Sequence, residues 1–105
     1  MARADKRFQI ICDQDAAGLL GIVIRCYGDA AFPPGGSECA QASREALHAI
    51  AGNIENHAAG NGALVSSRQT RLLRSAVSWY FHEVESSRQK ERLLMGLLDN
   101  KPKSG

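Results

Sequence analysis

The chain has 105 residues, a mass of 11.3 kDa and a formal net charge of +2, with 44% hydrophobic and 23% charged residues. These values fit one small globular domain with a modest core, which a stable oligomer or a bound partner would support, and they argue against wholesale disorder. No stretch approaches the ~18 consecutive apolar residues of a membrane span, and the charge excess is smaller than a dedicated DNA-binding domain usually carries.

Residues 1–7 are charged and expected to fray, and no long apolar run follows them to make a signal peptide. Cys12, Cys26 and Cys39 are odd in number and form no C-x-x-C pair. Free thiols in a reducing cytosol are the simplest reading, so a cytoplasmic location is expected. The run Phe8-Gln9-Ile10-Ile11-Cys12 could be a strand, but a lone strand in a helical chain has no ladder to join. It reads as the lead-in to the first helix, or as an extended arm packed on the core or on another protomer.

Asp13 or Asp15 can cap the first helix, because a carboxylate accepts from the free N–H groups there. The helix continues through AAGLLGIVIRCY to Gly28, which suits a C′ position. Ala16, Leu19, Val23, Cys26 and Ala30 form one stripe, widened by Leu20, Ile24 and Tyr27. The β-branched run Ile22-Val23-Ile24 also suits a strand over Gly21–Tyr27. The length of the stripe favours the helix. Gly18 and Gly21 each weaken it by ~1 kcal/mol relative to alanine, and their missing side chains let a neighbour approach closely.

Phe32-Pro33-Pro34-Gly35-Gly36 is a break. Ser37 caps a second helix, which ends before Gly60-Asn61-Gly62 and has Ala40, Leu47, Ile50, Ala51, Ile54 and Ala58 on one side. Ser66 opens the last helix. Its S-x-x-Q spacing with Gln69 makes a capping box. The stretch Ser66–Leu98 contains no proline and only Gly96, so it reads as one helix of about 33 residues, roughly 50 Å long. Its seam runs Leu73, Val77, Tyr80, Val84, then Ser87 and Glu91, then Leu94 and Leu98. The polar run Glu85–Arg92 interrupts this seam as a solvated segment, a kink or a polar contact. Asn100–Gly105 is a polar tail expected to be disordered. The expected fold is therefore all-α: one domain of three helices, the long C-terminal one forming an antiparallel hairpin with the middle one.

The second helix is too short to cover the last one, which leaves Leu93, Leu94, Met95, Leu97 and Leu98 to be buried by the first helix or by a second chain. A separate stripe, Leu72, Trp79, Ser86 and Leu93 with Leu97 beyond, lies about 100° round the helix from the seam. Such a wide apolar arc contacts more than one neighbour. Leu72, Trp79, Leu93 and Leu97 are thus the candidate protein-binding residues, with Trp79 central because tryptophan is enriched at binding hot spots. A three-helix core that takes both stripes is the competing explanation.

No metal or cofactor site is expected: His48, His57 and His82 have no zinc spacing among themselves or with the cysteines. No local motif supports a Cys–His nucleophile, and the glycine pairs lack the lysine and strand context of a phosphate loop. No catalytic residue is assigned, and the chain is not expected to be an enzyme. Arg68, Arg71 and Arg74, in the first turns of a helix after a short turn, keep a small DNA-binding protein as an alternative. A helical adaptor for another protein is a further one.

Taken together, the short apolar N-terminal segment, the Pro-Pro-Gly-Gly break, the helix SECAQASREALHAIAGNIENHAAG and the helix SSRQTRLLRSAVSWYFHEVESSRQKERLLMGLL resemble the QslA-type anti-activators of bacterial quorum sensing. The resemblance is one of the whole chain: length, helical character and absent chemistry. It implies a homodimeric protein that binds the ligand-binding domain of a LasR-type transcription factor. Occupying that domain's dimerisation surface would keep the regulator from binding DNA as a dimer.

Overall fold

The computed structural model describes residues 7–99; of the start expected to fray, residues 1–7, only Arg7 is described, and it is not frayed but opens a strand, while residues 1–6 and the polar tail, residues 100–105, lie outside the described residues. In chain order the elements are β1 (Arg7–Ile10), α1 (Gln14–Ala31), α2 (Glu38–His57), β2 (Ala63–Ser66), α3 (Ser67–Glu83) and α4 (Arg88–Leu98). The fold is broadly helical, but it has four helices and a small sheet where three helices and no sheet were expected.

The sheet arises because the apolar run after Arg7 does find a ladder. β1 and β2 pair antiparallel, with Arg7 opposite Ser66, Phe8 opposite Val65, Gln9 opposite Leu64 and Ile10 opposite Ala63. Alternation does the rest. Ile10, Ala63 and Val65 are buried and Phe8 is half-buried on the inner face, while Arg7, Gln9 and Leu64 are exposed on the outer one. Gly62, at φ 98°, makes the turn into β2, and a side chain there would overlap Gln9, whose Nε2 donates to the Asn61 carbonyl at 2.7 Å.

α1 starts where expected, with Asp13 Oδ1 accepting from the Ala16 N–H at 2.7 Å. It is helical through the β-branched run, because burial of Val23 and Ile24 outweighs a small propensity difference. Gly28 is not its C′ residue. It lies inside the helix and lets α2 approach, the Leu47 Cβ lying 3.4 Å from where its own Cβ would be. The buried line is Ala17, Leu20, Gly21, Ile24 and Gly28, flanked by Ala16 and Val23. It is rotated from the expected stripe, so Leu19 and Cys26 are half-buried and Ala30 is exposed. Ser37 caps α2, which buries Leu47, Ile50, Ala51 and Ile54.

The antiparallel hairpin is formed by α1 and α2, not by the middle and last helices. Arg25 meets Glu55, and Asp29, one turn further along α1, meets His48 and Arg44, earlier in α2, as antiparallel packing requires. α3 packs on α1. It opens with the predicted capping box: Ser66 Oγ accepts from the Gln69 N–H, and Gln69 Oε1 accepts from the Ser66 N–H.

The single long helix is also corrected, since it breaks after Glu83. The Val84 and Glu85 N–H groups both donate to the Tyr80 carbonyl, and Ser87 caps a new helix by accepting from the Lys90 N–H. Serines favour such caps over helix interiors. Lys90 then pairs with Glu85 across the break at 2.5 Å. The polar run, for which a solvated segment, a kink and a polar contact were all open, is where the helix ends. α4 folds back along α3, and Arg74 reaches the Leu98 carbonyl and Asp99 at its far end. This buries Leu94 and Leu98 fully and Met95 and Leu97 in part. Val84, expected in the seam, is exposed at the break.

Candidate functional site

Of the four candidate residues, Leu72, Trp79 and Leu97 are half-buried against the core, while Leu93 is 53% exposed and apart from it. They do not form the straight ridge of one helix, because Leu72 and Trp79 are on α3 and Leu93 and Leu97 on α4. The helix break divides the surface in two.

The first part is centred on Trp79. Its ring meets Tyr27 of α1 edge-on, with centroids 5.8 Å apart and planes at 61°, and meets Tyr80 at 6.4 Å and 60°. Edge-to-face packing of this kind fixes the orientation of an indole that the core does not enclose. Around it lies an open depression lined by Tyr27, Arg74, Ser75, Ser78, Trp79 and Met95. Arg74 is held at its edge by the Leu98 carbonyl and the Asp99 carboxylate. Three helices contribute, so the depression exists only in the folded chain.

Tyr27 and Met95 were not assigned to this surface from the sequence. Tyr27 did flank the stripe of the first helix, and a large amphipathic residue at the edge of a stripe is a signal for such a role. Met95 was counted only among the residues that needed cover. Its flexible thioether suits a surface that adapts to a partner.

The second part lies on α4, where Arg88, Gln89, Arg92 and Leu93 line one shallow groove and Arg88, Glu91, Arg92 and Met95 another. The exposed Leu93 is flanked by Arg88, five residues before it, and Arg92, immediately before it. Met95 belongs both to the second groove and to the Trp79 depression, so the two parts adjoin.

The ionisable groups are paired in ways that hold the scaffold. Arg25 donates to Glu55 at 2.5 Å, and that hydrogen bond raises its pKa. Asp29 lies 3.0 Å from both His48 Nε2 and Arg44 Nε. The His48 hydrogen bond, and then the charges and bonds of its neighbours, hold its carboxyl below the ordinary value. Burial, and then the charge of Asp13, push the Cys12 thiol upward, away from the thiolate. Cys12 and Cys26 are half-buried, Cys39 is exposed, and all three are free thiols. Among the described residues no three His, Cys, Asp or Glu side chains come together as a metal site would require, and no helix is long and apolar enough to cross a membrane. Of the three arginines behind the DNA-binding alternative, Arg68, Arg71 and Arg74 are all exposed, and Arg74 is engaged at the end of α4.

No protein-family model matches this chain, and no curated protein or solved structure matches it either.

Proposed function

We propose that this chain is a protein-binding regulator: an anti-activator that binds the ligand-binding domain of a LasR-type quorum-sensing regulator and blocks its dimerisation. The observation that carries the protein-binding part is Trp79. It is half-buried, oriented by Tyr27 and Tyr80, and set in an open depression made by three helices. A wide, shallow surface with a fixed aromatic anchor suits the face of a macromolecule, whereas small-molecule sites are enclosed and bury most of their ligand. The identity of the partner rests on the whole-chain resemblance to QslA-type anti-activators.

In this reading the chain competes by mass action. A regulator subunit whose dimerisation surface is covered cannot place two DNA-binding domains on one operator, so its affinity for DNA falls. The account needs no chemistry from the inhibitor, only contact area and an anchor that loses its water on binding.

The test uses a purified LasR-type ligand-binding domain with its signal molecule bound. Isothermal titration with the wild-type chain should show saturable binding, and light scattering should show loss of the regulator dimer. Binding that leaves the regulator dimer intact would refute the blocking step. No binding at micromolar concentrations would refute the partner.

A further inference from the structure

The two-stranded sheet has two outer edges, and its own side chains show that only one is occupied. In an antiparallel pair, residues alternate between those whose N–H and C=O face the neighbouring strand and those whose groups face away. On β2, the Leu64 carbonyl accepts from Asn53 Nδ2 of α2 at 3.1 Å, and the Ser66 N–H donates to Gln69 Oε1 at 2.9 Å. Leu64 and Ser66 therefore turn their polar groups away from β1, where α2 takes the Leu64 carbonyl and α3 takes the Ser66 N–H and carbonyl. Their partners across the ladder, Gln9 and Arg7, share that phase. The backbone groups of Gln9 and Arg7 consequently point out of the other edge. There no backbone group of the described residues meets them.

We propose that the outer edge of β1 pairs antiparallel with the same edge of a second copy, making a continuous four-stranded sheet, β2-β1-β1-β2, across a two-fold axis. Two observations select a second copy as the occupant. First, the edge is self-complementary. With the axis through Gln9, the Gln9 N–H and C=O groups of the two copies exchange hydrogen bonds, and Arg7 lies opposite Ile11 of the second copy. The two Arg7 charges stay apart.

Second, the exposed apolar side chains gather here. Ile11 is 56% and Leu64 52% exposed, two of the five large hydrophobic side chains left in water among the described residues. On the joined sheet, the methylene stem of Arg7 covers Ile11 of the other copy. An unprotected edge of this kind is a template for pairing.

This surface is separate from the Trp79 depression, so the regulator-binding reading can fail without it and it can fail without that reading. The test is sedimentation equilibrium of the full chain in the micromolar range, with Gln9→Pro and Gln9→Ala beside the wild type. Proline at this position removes an N–H that β2 does not use, and the extended Phe8 before it suits a proline. Alanine removes the same side-chain contacts with Asn61 and Gly62 but keeps the N–H.

The wild type and Gln9→Ala should sediment as dimers of the 11.3 kDa chain. Gln9→Pro should associate at least ~10-fold more weakly, with its helical circular dichroism unchanged. A wild-type monomer throughout, or a dimer that withstands Gln9→Pro, would overturn the proposal. Hydrogen exchange of the wild type gives a second measure that holds even if the proline variant misfolds. The Gln9 amide should become protected as protein concentration rises, while the Phe8 and Ile10 amides, which face β2, are protected throughout. Fast exchange at Gln9 at every concentration would equally overturn it.

Discussion

The glycines of α1 show how much a single position depends on what lies beside it. Gly18 has open space where a Cβ would go, and Gly21 has the Glu55 carboxylate there. Gly18→Ala should therefore stabilise the fold by up to ~1 kcal/mol, the helix-propensity difference, with nothing to displace. Gly21→Ala gains the same propensity but pushes aside the flexible end of Glu55 and breaks its pair with Arg25. That pair is partly exposed, 40% on the arginine side and 30% on the glutamate side, and such pairs contribute ~0–1 kcal/mol. The two effects offset, so Gly21→Ala should fall within about 1 kcal/mol of the wild type. Urea melts of both variants check this.

Asp29 gives a pH signature at the same scale. Its folded pKa is depressed, chiefly by the hydrogen bond to His48. Its contribution is therefore present above the unfolded carboxyl value of about 3.9 and is lost as pH falls through the lower folded value. The group is exposed and its pairs are screened by solvent, so the contribution is small. In acid titrations followed by circular dichroism, Asp29→Asn should lose slightly less stability than the wild type below about pH 4.

At the scale of elements, the helix starts were legible because capping is local. Asp13, Ser37 and Ser66 all cap where the sequence placed them, and Gln69 completes its box. The ladder was only half-legible: the apolar run at Phe8–Cys12 could be a strand, but its partner β2 lies two helices away and gave no strand signal of its own. The break after Glu83 was half-legible. The apolar seam lapses at Ser87 and Glu91, but helix propensity stays high through that run. Burial of Leu94 and Leu98 against α3 decides for a turn, and that is a tertiary effect.

The turn leaves adjacent residues with opposite fates, which makes it testable. Leu94 is fully buried and Leu93 is 53% exposed. Leu94→Ala should cost ~2–5 kcal/mol, the range for emptying a core site, and Leu93→Ala no more than ~0.5 kcal/mol, as at an ordinary surface position. Equal losses in chemical denaturation would mean that α4 does not fold back as described.

For the whole molecule, the four candidate residues are divided between α3 and α4. Trp79 was identified from a stripe at helical spacing, and it is half-buried at the edge of the core. Its neighbours Tyr27 and Met95 come from two other helices, which the spacing within one helix cannot reveal. The overhang that first suggested a partner has gone, since α4 covers its own leucines by turning back. The arginines separate the protein-binding and DNA-binding accounts. For DNA, each phosphate contact steepens the salt dependence by about one unit of slope, whereas at the rim of a protein interface charge acts mainly on association rate. Replacing Arg68, Arg71 and Arg74 with Gln should leave regulator binding within about tenfold. Gel shifts should find no tight duplex binding by the wild type at physiological salt.

The central claim is that Trp79 serves binding more than folding, and one pair of titrations on the Trp79→Ala variant measures both. A buried core tryptophan costs ~3–5 kcal/mol of stability when cut to alanine, while an interface anchor costs ~2 kcal/mol or more of binding. Thermal unfolding at several protein concentrations gives the first quantity, and titration against the LasR-type ligand-binding domain gives the second. The account predicts a modest drop in melting temperature and at least a ~30-fold loss of affinity, the equivalent of about 2 kcal/mol. A large, concentration-independent drop in melting temperature with unchanged affinity per folded molecule would contradict it.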